Sequence, residues 1–142
     1  MFTAKNKVRM HDTDMAGILY FARQFRFAHD ALEDFVESEG FNFDNVFHKE
    51  NFVFVIVHCE GDYYAPLKVG DELHIQVFVE RIGSSSFTML YEIYRADHAH
   101  VGSAKTTHVT LDRLSRKKIP IPERFKKVLK KHLISDEASK EI

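Results

Sequence analysis

The sequence predicts an α+β domain in which one long helix lies across an antiparallel sheet. Three observations carry that prediction. Phe21, Phe25, Ala28, Leu32, Phe35 and Val36 recur at helical spacing, while Arg23, Gln24, Asp30, Glu33, Asp34 and Glu37 fall largely off that stripe. Further on, Leu73, Ile75, Val77 and Val79 alternate with His74, Gln76, Phe78 and Glu80, the period of a strand. The order of the segments completes the case: a short first strand, the long helix, at least four strands and a final helix.

The helix runs to Gly40, a residue suited to the left-handed conformation that ends a helix. After a polar loop, Phe52 to Val57 reads as a buried strand continuing toward Tyr63 and Tyr64. Turn-compatible residues from Ala65 to Asp71 separate it from the strand through Leu73. Another strand places Phe87, Met89, Tyr91 and Ile93 on one face, with Thr88, Glu92 and Tyr94 on the other. A turn at Asp97 to Gly102 leads to the last strand, from near Ser103 to Leu111, and residues 123 to 134 suit a terminal helix. No repeat or linker divides the chain, so residues 1–142 are expected to form one domain, with 123–142 as its terminal helix and tail.

Composition narrows the class. With 44% apolar residues and six glycines among 142, the chain can fill one substantial core and does not read as disordered. It has no 18-residue apolar run to span a membrane, and its first residues lack the apolar tract of a secretory signal. Cys59 is the sole cysteine, which excludes an intrachain disulfide and fits a reducing, cytoplasmic setting. A net charge of −1 gives no reason to expect a nucleic-acid partner. Basic residues nevertheless cluster from Arg113 to Lys131, opposed within that span only by Glu123. Such a run suits either a polyphosphate-bearing ligand or simply a solvated helix; Arg116 and Lys118, before the turn-forming Pro120 and Pro122, are the better ligand candidates.

The chemistry concentrates in His11-Asp12-Thr13-Asp14-Met15-Ala16-Gly17-Ile18-Leu19-Tyr20-Phe21. Two carboxylates and a glycine turn immediately precede the helix. A carboxylate there can attack, or accept a proton, beside backbone N–H groups able to hold a developing oxyanion, an arrangement suited to an acyl carbon. The plainer reading is a turn acceptor or helix cap, and Asp12 suits turn stabilisation better than Asp14 does.

Asp14 to Phe21 and the following helix, Asp62-Tyr63-Tyr64-Ala65-Pro66-Leu67-Lys68-Val69-Gly70-Asp71, Thr107 to Asp112 and Arg116 to Pro122 together resemble the hotdog-fold acyl-CoA thioesterases of the 4-hydroxybenzoyl-CoA thioesterase-like (4HBT-like) group. The likeness covers roughly residues 6 to 124. It implies a long central helix wrapped by a curved antiparallel sheet, and a homodimer or homotetramer with active sites formed across subunits. It further implies hydrolysis of an acyl-CoA to a free acid and coenzyme A, the coenzyme being part of substrate and product rather than a cofactor. Asp14 matches the family's catalytic aspartate and Gly17 its turn glycine. The N–H of Phe21 matches the group that polarises the thioester carbonyl, and Arg116 and Lys118 match residues that meet the coenzyme A phosphates. His29-Asp30-Ala31-Leu32-Glu33, Ile56 to Glu60 and Thr107-His108-Val109 are similar to 1,4-dihydroxy-2-naphthoyl-CoA hydrolases, although Asp30 and Leu32 depart from that pattern; the likeness leans toward an aromatic acyl group.

Within that frame, N–H groups at Tyr20 or Phe21 are the candidate oxyanion donors, and Asp14 either attacks the thioester or deprotonates water. His11, His29 and His58 are candidate substrate contacts, His58 and His108 candidate orienting groups, each weighed against ordinary packing. Ser84, Ser85 and Ser86, after Gly83, offer hydroxyls to the pantetheine or phosphate portion of coenzyme A or serve as turn caps. Tyr20 faces either the core or the acyl pocket, and Cys59 reads as a small core residue. The histidines form no His-Glu-x-x-His pattern, so no catalytic metal is expected. Alternatives are an aliphatic acyl-CoA or acyl-carrier-protein thioesterase, and a nonenzymatic acyl-CoA-binding module.

Overall fold

A computed structural model describes residues 2–41 and 50–134. Strands β1 (Phe2–Lys7), β2 (Phe52–Tyr63), β3 (Glu72–Ile82), β4 (Ser86–Arg95) and β5 (His100–Asp112) form one antiparallel sheet in the order β1-β3-β4-β5-β2. Helix α1 (Gln24–Ser38), entered through a 3₁₀ turn at Phe21–Arg23, lies along the inner face; α2 is Glu123–Lys131. This is the helix-wrapped sheet of the hotdog fold.

The strand alternation holds: Ile75, Val77, Val79, Phe87, Met89, Tyr91 and Ile93 all face inward with no solvent exposure. Against them α1 packs Phe27, Ala28, Ala31, Leu32, Phe35 and Val36. Gly40 ends the helix at φ +90°, and the Phe41 N–H reaches back to the Val36 carbonyl at 3.0 Å. Phe125 of α2 closes one end of the sheet, its ring 5.5–5.6 Å from those of Phe41, Phe52, Phe54 and Phe87.

Several expectations need correction. Phe21 is 63% exposed and Phe25 only half-buried, because the first turn is 3₁₀ and the stripe facing the sheet starts at Gln24 and Phe27. Gln24, assigned to the polar side, is buried: its amide donates to the Asp62 and Ser103 carbonyls at 3.1 Å each. Two strand glycines admit it, since a Cβ on Gly102 would sit 2.2 Å from Gln24 Oε1 and one on Gly61 3.1 Å from Nε2. Cys59 is exposed rather than core, because β2 is an edge strand, and Tyr20 is likewise exposed. β5 starts at His100, which pairs with Tyr94 across a register shift, and α2 stops at Lys131 rather than 134. Most of the polar loop after Gly40 and the tail after 134 lie outside the described residues.

Candidate active site

Residues 12–20 form a small hairpin. The Asp12 carbonyl accepts from the Tyr20 N–H at 2.8 Å, Thr13 bridges Leu19, and the Asp14 N–H donates to the Ile18 carbonyl at 3.0 Å. At its tip the Gly17 N–H donates to the Asp14 carbonyl at 3.0 Å, with Gly17 at φ +78°, a conformation that explains glycine there. The Ala16 N–H donates to Asp14 Oδ1 at 2.8 Å, so one carboxylate oxygen shapes the turn while the exposed side chain keeps its other oxygen without a protein donor among the described residues.

The hairpin is fastened at both margins. Leu19 N–H donates to the Leu67 carbonyl at 2.7 Å, and Ile18 bridges Lys68, docking it on the β2–β3 connection. At its base, the fully buried Asp12 carboxylate accepts from Arg26 Nε at 2.8 Å, Arg26 Nη2 at 2.6 Å and the Arg9 N–H at 2.8 Å. Burial pushes the Asp12 carboxyl up, but the Arg26 hydrogen bonds and charge, with the Arg9 N–H, outweigh it and hold it below the ordinary aspartate value. Arg26 also reaches Asp30 Oδ2 at 2.9 Å, and Asp30 accepts from Asn6 at 3.0 Å, so hairpin, helix and β1 share one ionic network. Asp12 is therefore the structural carboxylate and Asp14 the available one.

The chain passes from the hairpin into the start of the helix. The Tyr20 N–H is committed to Asp12, which removes it as an oxyanion donor. The Phe21 N–H has no acceptor among the described residues, and the Tyr63 hydroxyl donates to the Phe21 carbonyl, holding the next peptide, Phe21–Ala22. The positive end of the helix dipole adds to this open donor. Phe21, Tyr63, Tyr64 and Pro66 line a cavity of about 350 Å³. Further along α1 and β2, Phe25, His29, Leu32, Ile56 and Cys59 surround a second cavity of about 120 Å³, with Tyr91 and Thr106 at its floor. His29 thus lies on this groove. His11 is exposed beside Asp12, at 3.6 Å, and His58 follows a bulge in β2.

His108 is fully buried, stacked on Phe87 at 4.8 Å. Burial foremost, then the neighbouring His29, pushes its imidazole down to about 4, so it is neutral at pH 7.

The proposed coenzyme A contacts lie elsewhere. Ser84 and Ser85 form the β3–β4 turn and Ser86 opens β4; the Ser85 carbonyl accepts from the Thr110 N–H at 2.9 Å and the Ser84 carbonyl from the Ile121 N–H at 2.9 Å. Arg116 and Lys118 are exposed on the hairpin that follows β5, Arg116 at φ +62°. Asp112 pairs with Phe52 while Gly102 pairs with Tyr63, so about ten residues of β5, roughly 30 Å, separate them from the Asp14 end of the same chain.

An antiparallel sheet curled around one helix, with a free carboxylate on the hairpin that feeds the open start of that helix, places the chain among the hotdog acyl-thioesterases. It belongs to the Thioesterase-like superfamily, whose profile matches residues 8–129. A 1,4-dihydroxy-2-naphthoyl-CoA hydrolase of Nostoc punctiforme is 37% identical over 122 residues, 86% of this chain and 82% of its own. The crystal structure of a 1,4-dihydroxy-2-naphthoyl-CoA thioesterase from Synechocystis superposes with a TM-score of 0.83 at 30% identity, over 90% of this chain and 94% of that one. A gentisyl-coenzyme A thioesterase, 21% identical, shares the fold at a TM-score of 0.81 over 90% of this chain and 99% of its own.

Proposed function

We propose that this chain hydrolyses aromatic acyl-CoA thioesters, of the 1,4-dihydroxy-2-naphthoyl-CoA kind, to the free acid and coenzyme A. The observation that carries the assignment is Asp14, held at a hairpin tip with one free carboxylate oxygen and linked through that hairpin to the open Phe21 N–H. With the acyl group in the groove along α1 and β2, the thioester oxygen meets the Phe21 N–H, which takes up the charge as the carbonyl carbon becomes tetrahedral. Asp14 then follows one of two routes. It attacks the carbonyl carbon, expelling the coenzyme A thiolate and forming an acyl-aspartate anhydride that water opens; or it takes a proton from water, whose oxygen attacks instead. In both, the carbon–sulfur bond breaks and the departing sulfur gains a proton.

The working unit in this reading is a dimer joined through β2. That edge strand exposes Val55, Ile56 and Val57 at 39%, 46% and 58%, a long apolar edge of the kind that pairs with another strand. A two-fold axis across paired β2 strands sets the Phe52 end of one against the Tyr63 end of the other. The partner subunit's Arg116 and Lys118 then approach this subunit's Asp14, supplying the phosphate contacts that the chain places far from its own carboxylate. Further pairing to a tetramer is compatible with this arrangement.

The test is thiol release across 1,4-dihydroxy-2-naphthoyl-CoA, benzoyl-CoA derivatives, aliphatic acyl-CoAs and matched carrier-protein thioesters. Asp14→Asn is expected to lower kcat on the best substrate by about 10²–10⁴-fold. Near-normal turnover by that variant would remove Asp14 from the chemistry. Dominant activity on an aliphatic or carrier-protein thioester would move the substrate assignment, and tight ligand retention without turnover would make the protein a binding module.

A further inference from the structure

Three polar side chains run in a line across the inner face of the sheet, where an apolar core would cost less. Tyr91 Oη lies 2.9 Å from Thr106 Oγ1, which lies 2.8 Å from His108 Nε2. Tyr91 and His108 have no solvent exposure and Thr106 has 5%. At the far end His108 Nδ1 is buried without a hydrogen-bond partner, its ring stacked on Phe87 and met edge-on by Phe54. At the near end Tyr91 and Thr106 form the floor of the 120 Å³ cavity beneath Phe25 and His29.

A neutral imidazole carries one N–H, so the line has two proton orders. With the proton on Nε2, His108 donates to Thr106, Thr106 donates to Tyr91, and the Tyr91 O–H has no protein acceptor at the cavity. With the proton on Nδ1, each oxygen donates toward His108, and the Tyr91 oxygen is left free to accept while a buried N–H goes unmatched. Either way the line ends in an open valence on the cavity side, and a buried open valence is costly. A hydrocarbon acyl group leaves it open. A phenolic hydroxyl, being donor and acceptor at once, completes it in both orders.

We propose that the Tyr91–Thr106–His108 line reads a hydroxyl on the ring of the acyl group, with Tyr91 as the specificity-determining residue, so that hydroxyaryl-CoA thioesters are preferred over their unsubstituted counterparts. This rests on the reading of the α1–β2 groove as the acyl site. The geometry along the helix agrees with it: Phe25 and His29, one turn apart on α1, both line the cavity, and α1 follows directly on the 3₁₀ turn that starts at the oxyanion donor Phe21.

The experiment compares 1,4-dihydroxy-2-naphthoyl-CoA with 2-naphthoyl-CoA for the wild type, Tyr91→Phe and Thr106→Val. Wild type should prefer the hydroxylated substrate. Tyr91→Phe should lower its kcat/KM by about tenfold, the worth of one hydrogen bond, while changing that for 2-naphthoyl-CoA by less than about twofold. Thr106→Val, which breaks the same line while roughly keeping side-chain volume, should give the same split, and serves if Tyr91→Phe does not fold. Equal loss on both substrates, or no loss on either, overturns the proposal, as does a wild type that turns over both equally. A wild type that cleaves neither thioester refutes the aromatic-thioesterase reading on which the proposal rests, a distinct outcome.

Discussion

Replacing Asp12 with asparagine should destabilise the protein by about 2–3 kcal/mol at neutral pH. Removing one partner from a fully buried ion pair costs about 3–5 kcal/mol. The Arg26 side chain retains 23% exposure and keeps Asp30 as a second carboxylate, and both reduce that figure. At roughly 2.1 cal/mol/K per residue, 142 residues give an unfolding entropy near 0.3 kcal/mol/K, so Tm should fall by about 7–10 °C. The assay is thermal unfolding at fixed protein concentration across pH 3–8, because association also shifts Tm. The folded Asp12 carboxyl lies below its unfolded value, so its stabilising contribution is fully present above about pH 4. It is lost as pH falls through the folded pKa. The gap between wild type and Asp12→Asn should therefore be constant from pH 6 to 8 and shrink below pH 4. A Tm change under 2 °C, or a gap as wide at pH 3 as at pH 7, would refute the view that this ion pair fastens the hairpin.

Two further outcomes follow from packing and from the sheet edge. Gly102→Ala should cost about 1–3 kcal/mol in urea denaturation, because its Cβ would overlap the pinned Gln24 amide at 2.2 Å; adding Gln24→Ala should cost less than the sum of the two single changes, and strict additivity would count against that contact. Val57→Lys, which places a charge on the most exposed apolar position of the β2 run, should shift sedimentation toward monomer and lose thioesterase activity in parallel; a fully active monomer would show that one chain suffices.

What the sequence made legible is what local spacing encodes. The alternation through Leu73 to Val79 and Phe87 to Ile93 found the inner face of the sheet because a strand's facing repeats every two residues regardless of its partners. Gly40 was readable for the same reason, since a helix end is a local event. Gln24 was misplaced because its partners, Asp62 and Ser103, are 38 and 79 residues away, and a period cannot register an amide that crosses to another element. The signal lay instead in Gly61 and Gly102, two glycines within strands that make room for it. The Asp12–Arg26 pair likewise leaves no local signature, spanning 14 residues with no repeat to mark it.

The same distinction governs the site. Asp14, Gly17 and Phe21 sit within eight residues, so a motif suffices to group them, and the fold only decides that Phe21, not Tyr20, has the open N–H. Arg116 and Lys118 belong to the opposite end of β5, and no folding of a single copy along this register brings them to Asp14. If both groups serve one ligand, the sheet must be met by a second sheet running the other way. Its exposed edge is the strand whose Val55, Ile56 and Val57 lack cover. In the proposed dimer the apolar edge and the divided set of candidate ligand residues, two features that look like separate defects in the isolated chain, would be resolved by the same two-fold pairing.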